Sequence, residues 1–171
     1  MKILVTGGVR SGKSAHAESL IGLGPATYVA PGPVVDDADW AARIAEHRSF
    51  RPPSWTTIET TDLASALTTD GPIIIDCLGT WLNALLDGKG AWGASAEEAS
   101  SLVGAELDSI VAATARRSDG TVFVTNEVGL GVVPEHRSGR LFRDLLGLTN
   151  QRIATACDEV HLVVSGRVLR L

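Results

Sequence analysis

The sequence predicts a single-domain α/β protein of three layers, with a mostly parallel sheet between helices and a C-terminal β-hairpin. Short apolar runs alternate with longer amphipathic segments, which is the pattern of repeated strand–helix units. Glycines follow the first apolar run and lead directly into a helical segment. The 171 residues suit one domain, and neither a repeat nor a linker divides them. We therefore expect one catalytic domain over residues 1–171.

The individual elements are predicted from two periodicities. Strands are expected where apolar and β-branched residues run together between Gly or Pro, and helices where apolar residues recur every three to four positions. The predicted strands are 3–6, 27–30, 73–75, 121–125, 160–164 and 168–171. The predicted helices are 14–20, 36–50, 80–86, 96–117 and 138–156, with a glycine-rich loop at 88–93. The last two strands flank Ser165-Gly166 and predict the hairpin.

Composition limits the classes of function. A net charge of -5 argues against a broad nucleic-acid-binding surface, although it leaves room for a local basic pocket. No apolar run approaches the length of a membrane span, and the first residues are too short an apolar stretch for a signal peptide. Cys77 and Cys157 have no metal-binding spacing and are expected to be reduced thiols. The protein is expected to be soluble and cytoplasmic.

The glycine-rich segment after the first strand fits the phosphate-loop pattern G-x-x-x-x-G-K-[ST] at every position. Glycines let the backbone curl so that its N–H groups point at phosphates, and the following helix adds the positive end of its dipole. Lys13 is predicted to reach the terminal phosphates and the Ser14 hydroxyl to ligate Mg²⁺. A strand leads in and a helix leads out, which favours a P-loop NTPase-like site over a chance match. The segment consists of Gly7, Gly8, Val9, Arg10, Ser11, Gly12, Lys13 and Ser14.

A carboxylate, Asp76, ends the apolar run Ile73-Ile74-Ile75. P-loop enzymes place at such a strand end the acid that holds Mg²⁺, directly or through water. Acids at strand ends are common, so the prediction depends on the phosphate loop as well. Ser14 and Asp76 are the predicted metal-binding pair.

A second informative segment is the predicted helix 36–50 with the residue that follows it. Arg43, His47 and Arg51 are spaced at i, i+4 and i+8, and Arg48 stands beside them. Guanidinium groups hold phosphates and favour the neutral, nucleophilic imidazole, so this stripe is suited to attack on a triphosphate.

The same stripe has a simpler interpretation, a solvated basic face with an incidental histidine, and the pattern alone favours it. Among the other histidines, His16 is expected at the surface or in packing, and His161 in a structural role within a strand. His136 lies in a loop and could approach a ligand. The residues by themselves leave the choice between His47 and His136 open.

Further motifs lie in one order along nearly the whole chain. They are Arg43-Ile44-x-x-His47 with Arg51-Pro52, Trp55 and Glu59; Asn126-Glu127-Val128-Gly129-x-Gly131-x-Val133-Pro134; Arg140-x-x-Arg143-Asp144-x-x-Gly147 with Asn150-Gln151; and Asp158-Glu159-Val160. With the phosphate loop, these blocks resemble the bifunctional adenosylcobinamide kinase/adenosylcobinamide-phosphate guanylyltransferases of cobalamin biosynthesis.

The resemblance implies two reactions. The first phosphorylates the aminopropanol hydroxyl of adenosylcobinamide with ATP or GTP. In the second, a histidine attacks GTP and releases pyrophosphate, and the GMP it carries passes to adenosylcobinamide phosphate to give adenosylcobinamide-GDP. It further implies Mg²⁺ as cofactor and a homo-oligomer, a trimer in this family.

The resemblance also assigns residues. It places the nucleophile on His47, with Lys13 supporting the kinase step. Pro31 and Pro33 depart from the family, which has small polar residues there, and proline cannot donate a hydrogen bond. Outside the phosphate loop, the implied nucleotide contacts are Pro31, Gly32, Pro33, Arg48, Ser49, Phe50, Arg51, Glu59 and Asp76.

Two regions keep more than one interpretation. The Asn126–Gly131 segment follows a strand end and is expected either to line the corrinoid or nucleotide site or to form a tight turn. Arg140, Arg143 and Asn150 suit an oligomer interface or a ligand equally. For the chain as a whole, the alternatives are a single-function P-loop small-molecule kinase and a nucleotide-dependent regulatory module.

Overall fold

A computed structural model describes residues 1–32 and 51–171. The strands are β1 (Lys2–Gly7), β2 (Ala26–Ala30), β3 (Trp55–Glu59), β4 (Ile73–Asp76), β5 (Thr121–Asn126), β6 (Glu159–Val164) and β7 (Arg167–Arg170). The described helices are α1 (Lys13–Ile21), α2 (Leu63–Ala66), α3 (Leu78–Gly88), α4 (Ala96–Arg116) and α5 (Arg137–Ala154), with a 3₁₀ turn at Ala91–Gly93.

The strands form one sheet in the order β3-β2-β4-β5-β1-β6-β7. Every neighbouring pair is parallel except β6 and β7, which form the antiparallel hairpin. The predicted α/β class, the mostly parallel sheet and the terminal hairpin are therefore confirmed. Parallel strands place their carboxyl ends at one edge of the sheet, where α/β proteins bind ligands.

Helices cover both faces of the sheet and make three layers. Ala17 of α1 packs with Ile3 and Val5 on one face. Leu4 packs with α3, α4 and α5 on the other. The central strand β4 is buried on both sides, and Ile73, Ile74 and Ile75 are each 0% exposed. A continuous apolar run is what a strand covered on both faces requires.

The longest described helix, α4, is defined at its start by a capping box. The Ser95 hydroxyl accepts from the Glu98 N–H, and the Glu98 carboxylate accepts from the Ser95 N–H. Hydrogen bonding from Ser95 to the Glu98 carboxylate lowers the pKa of Glu98, because it stabilises the ionised form. Arg116 in the last turn suits the negative end of the helix dipole.

The amino edge of the sheet is closed by Arg117, just after α4. Its guanidinium donates to the carbonyl oxygens of Leu67, Thr69 and Gly71 and to the hydroxyl of Thr121. One guanidinium group thus ties the connection between α2 and β4 to the start of β5. This clamp lies at the opposite edge from the phosphate loop.

The structure corrects the predicted elements in several places. β3 and the four-residue α2 were not predicted. Gly88 belongs to α3 and residues 91–93 form a 3₁₀ turn, so the segment predicted as a loop at 88–93 is partly helical. α5 ends at Ala154 rather than at 156. The predicted helix 36–50 lies outside the described residues.

Candidate active site

The phosphate loop connects β1 to α1 and curls tightly. Gly12 has φ +93° and Arg10 has φ +55°, both in the left-handed region. The Ser11 N–H donates to the Gly8 carbonyl at 3.3 Å, and the Lys13 ammonium donates to the same oxygen at 3.2 Å. Successive amides in such a curl, at the start of a helix, form a concave anion site.

The C-terminal hairpin contacts this loop. The Gly166 N–H donates to the Ser11 carbonyl at 2.8 Å. A Cβ on Gly7 would lie 2.4 Å from the Val163 carbonyl oxygen and 2.7 Å from Ser11 Oγ, so only glycine fits there. The loop is therefore fixed by contacts with the C-terminal hairpin.

The predicted phosphate-binding side chains differ in exposure. Val9 is 76% exposed and Arg10 is also exposed, so both stand at the rim of the loop. Ser11 is buried, and its Oγ has no hydrogen-bond partner among the described residues. Lys13 and Ser14 are half-buried in the first turn of α1. The structure thus brings all eight motif residues together at the carboxyl edge of β1.

Asp76 ends β4 at the same edge. The Tyr28 hydroxyl donates to Asp76 Oδ2 at 2.9 Å. Burial, followed by the neighbouring Asp76 charge, raises the pKa of Tyr28 far above its ordinary value, so Tyr28 stays a donor. The half-buried Asp76 carboxylate and the Ser14 hydroxyl offer hard oxygen ligands, which fits Mg²⁺ that keeps waters and substrate phosphates as its other ligands.

Sequence reasoning missed Tyr28, although it is the only tyrosine in the chain. An aromatic residue with a polar tip inside a buried strand is the signal that points to such a hydrogen bond. Arg51 lies against the same ring, with its guanidinium carbon 3.4 Å from the ring centroid, and Nη1 donates to Thr57 Oγ1 at 3.1 Å. Tyr28 therefore links the two residues, since Arg51 stacks on its ring and its hydroxyl donates to Asp76.

The remaining predicted nucleotide contacts fall into two groups. Glu59 is the exposed last residue of β3, paired in register with Ala30 of β2. Pro31 and Gly32 directly follow β2 at the same edge, and Pro31 is buried. The other group lies outside the described residues and consists of Pro33, His47, Arg48, Ser49 and Phe50.

The segment after β5 packs against the phosphate loop. The Glu127 N–H donates to the Gly7 carbonyl at 3.2 Å, and the Glu127 carboxylate accepts from the Gly129 N–H at 2.6 Å. Asn150 of α5 accepts from Thr125 Oγ1 at 2.6 Å and donates to the Asn126 carbonyl at 3.1 Å. Asn150 thus ties α5 to the end of β5.

Beyond Glu127 the segment is apolar and open to solvent. His136 occupies the N-cap position of α5, but its side chain makes no capping hydrogen bond and is exposed. The exposed apolar side chains of this segment are Val128 (37%), Leu130 (86%), Val132 (95%) and Val133 (60%). Such a run beside a polar site is typical of a surface that binds a large, partly apolar ligand.

A second polar cluster lies between α1 and β6. His16 Nε2 and His161 Nδ1 are 2.9 Å apart, and His161 Nε2 is 2.7 Å from a Glu159 carboxylate oxygen. His161 is 1% exposed, so its expected structural role is confirmed and His16 is its partner. Burial, then His161, then Arg170 lower the pKa of His16. This chain anchors α1 to β6.

Residues 1–32 and 51–171 contain no group of three or more His, Cys, Asp or Glu side chains that could hold a metal ion. No helix in these ranges is both long and apolar enough to cross a membrane.

Comparison with known proteins gives a consistent result. The model of the family described as cobinamide kinase / cobinamide phosphate guanyltransferase matches residues 3–171. The chain is 44% identical over 178 aligned residues to the bifunctional adenosylcobalamin biosynthesis protein CobU of Salmonella typhimurium, covering 97% of each. It is 42% identical to the Escherichia coli protein of that name, with the same coverage. To the bifunctional adenosylcobalamin biosynthesis protein CobP of Pseudomonas aeruginosa it is 34% identical, over 97% of this chain and 94% of the relative. The chain belongs to the cobinamide kinase / cobinamide phosphate guanyltransferase family.

Proposed function

We propose that this protein phosphorylates adenosylcobinamide with ATP or GTP and then transfers GMP from GTP to adenosylcobinamide phosphate. The products of the second reaction are adenosylcobinamide-GDP and pyrophosphate. The observation that carries the proposal is the curled phosphate loop, with Lys13 and Ser14 at the same sheet edge as Asp76. Membership of the family supports both reactions.

In the kinase reaction, the substrate alcohol oxygen attacks the γ-phosphorus and the bond to the bridging oxygen breaks. The nucleoside diphosphate leaves and the alcohol proton is released. Lys13 and the loop amides hold the phosphates in line for this attack. Ser14 and Asp76 would hold Mg²⁺, which when bound neutralises phosphate charge. Tyr28 keeps Asp76 oriented through its hydrogen bond.

In the transferase reaction, a ring nitrogen of His47 attacks the α-phosphorus and pyrophosphate leaves. Covalent catalysis divides one difficult displacement into two easier ones. We assign nucleotide binding to the phosphate loop, to the segments around Pro31 and Arg48, and to Glu59. Arg51 belongs to the same set through Tyr28, on which it is stacked.

The apolar segment Val128–Val133 is our proposed surface for the corrinoid. Its side chains are exposed at the edge where the nucleotide binds, and Glu127 ties the segment to Gly7. A corrinoid is far larger than a nucleotide and needs such a surface outside the phosphate loop.

Residues 1–171 act as one catalytic domain, Mg²⁺ is the cofactor, and the enzyme works in the cytoplasm. Cys77 and Cys157 are both free thiols, which suits a reducing compartment. The enzyme is a homo-oligomer, a trimer by resemblance. The edge strand β7 supports association, since Val168 and Leu169 are 40% and 57% exposed.

The decisive experiment follows the α-phosphate. Protein incubated with Mg²⁺ and α-labelled GTP is denatured and tested for retained label, beside His47→Ala and the matched control His136→Ala. Label that is acid-labile, alkali-stable and lost only in His47→Ala supports the guanylyl-histidine. Label lost only in His136→Ala would move the nucleophile to that residue. No label in a folded, GTP-binding wild type would overturn the transferase proposal and leave a plain kinase or a regulatory nucleotide binder.

A further inference from the structure

One stripe of α5 extends from the sheet to beyond its carboxyl edge. Asn150 binds the end of β5. One turn earlier, Leu146 lies against Gly79 in the first turn of α3. Arg143 precedes Asn150 by seven residues, two helical turns, and is therefore on the same stripe about 10 Å farther along the axis. Because α5 runs back toward the amino edge where β6 begins, Arg143 stands beyond the carboxyl end of β5.

Arg143 is a half-buried cation without a partner in the described part of the chain. Its Nη1 is buried and makes no hydrogen bond, and neither ion pair among the described residues includes it. Other arginines of this region are paired: Arg137 binds the carbonyls of Trp92 and Ala94, and Arg152 binds Asp108. A buried guanidinium without a partner is costly, so this position suits an anionic ligand.

The phosphate loop does not account for this cation. The loop leads into α1, which packs on one face of the sheet, whereas α5 packs on the other. The two sites meet at the shared edge, where β5 lies beside β1 and the Glu127 N–H donates to the Gly7 carbonyl. An anion bound at Arg143 would therefore approach the nucleotide from the face of the sheet that α5 covers.

We propose that Arg143 binds the phosphate of the acceptor, the phosphorylated alcohol that receives GMP. This inference rests on the proposed function, whose second reaction requires a phosphomonoester beside the nucleotide. A planar guanidinium can bind two phosphate oxygens at once and leave the third free to attack. Arg143 is thus a binding residue that positions the attacking oxygen.

The step it serves balances without a proton transfer. The free acceptor oxygen attacks the α-phosphorus of the histidine-bound GMP, and a phosphoanhydride bond forms as the N–P bond breaks. The electron pair returns to the ring nitrogen, and the ring keeps the proton on its other nitrogen throughout. Guanidinium binding reduces the repulsion between the incoming phosphate and the α-phosphate.

The test separates the two half-reactions. Wild type is compared with Arg143→Gln, Arg143→Lys and the control Arg152→Gln. The control removes another arginine of α5, one that forms an ion pair with Asp108 of α4. The readouts are label retained from α-labelled GTP, KM for adenosylcobinamide phosphate in GMP transfer, phosphorylation of adenosylcobinamide, and the melting temperature. We expect Arg143→Gln to keep self-labelling and kinase activity and to raise that KM about 10–100-fold. Arg143→Lys should fall between, and Arg152→Gln should match wild type.

Two results would overturn the inference. One is an unchanged KM for the acceptor phosphate in Arg143→Gln. The other is an equal loss of self-labelling and transfer, which would place Arg143 at the nucleotide. If Arg143→Gln melts early, Arg143→Lys decides, because it keeps the charge and loses the fork. Failure of the proposed function itself is distinct, since wild type would then take no label.

Discussion

Replacing Gly7 by alanine tests the fit between the phosphate loop and the hairpin. The new Cβ would lie 2.4 Å from the Val163 carbonyl oxygen, which belongs to the β1–β6 ladder, and 2.7 Å from Ser11 Oγ. Real Cβ contacts are not that short, and a ladder carbonyl between paired strands has little room to move. Overpacking costs about 1–3 kcal/mol, and we expect the upper half of that range, about 2–3 kcal/mol.

Gly8→Ala is the matched control in the same loop. A Cβ on Gly8 meets nothing within 4 Å, so the change in the free energy of unfolding should stay within about 0.5 kcal/mol. Urea unfolding measures both variants. For a domain of this size, the loss expected for Gly7→Ala corresponds to a melting temperature lower by roughly 4–12 °C. Equal stability of the two variants would refute the reasoning from steric fit.

Three other changes have predicted outcomes. His16→Gln should flatten the dependence of stability on pH. The pKa of His16 is lowered in the folded state, so the unfolded chain binds more protons than the folded one. Wild type therefore loses stability as pH falls through about 6.5, and the variant should not. Urea unfolding at several pH values measures this, and an unchanged slope would contradict it. Tyr28→Phe removes the donor to Asp76. It should lower turnover about 10–100-fold and raise the half-saturating Mg²⁺ concentration, and an unaltered Mg²⁺ titration would count against it. Arg117→Met loses the clamp on three carbonyls and should cost about 2–4 kcal/mol of unfolding free energy while GTP affinity stays the same. A large fall in affinity would mean that the two sheet edges are coupled.

The sequence predicts best those features that depend on residues contiguous along the chain. The phosphate loop is eight contiguous residues whose backbone does the binding, so its pattern indicates both structure and chemistry. β4 and α4 were predicted for a similar reason, since a continuous apolar run and a long amphipathic segment are strong local signals. Short elements give weak ones: β3 spans only Trp55–Glu59 and α2 only Leu63–Ala66.

Features that depend on distant pairs could not be predicted. Tyr28 and Asp76 are 48 residues apart, and His16 and His161 are 145 apart. Their hydrogen bonds depend on the strand order, which places β2 beside β4 and β1 beside β6. The lack of a partner for Arg143 among residues 1–32 and 51–171 is likewise a property of the packed helix and not of its motif.

The position of β1 in the sheet has a consequence during synthesis on the ribosome. β1 carries the phosphate loop, yet its two neighbours are β5 and β6, which the ribosome makes much later. At about 5–20 residues per second, the first strand waits roughly ten seconds without either partner. A chaperone that binds nascent apolar segments would find Ile3-Leu4-Val5 exposed for that whole interval, and ribosome-bound chains halted before residue 121 should not bind nucleotide.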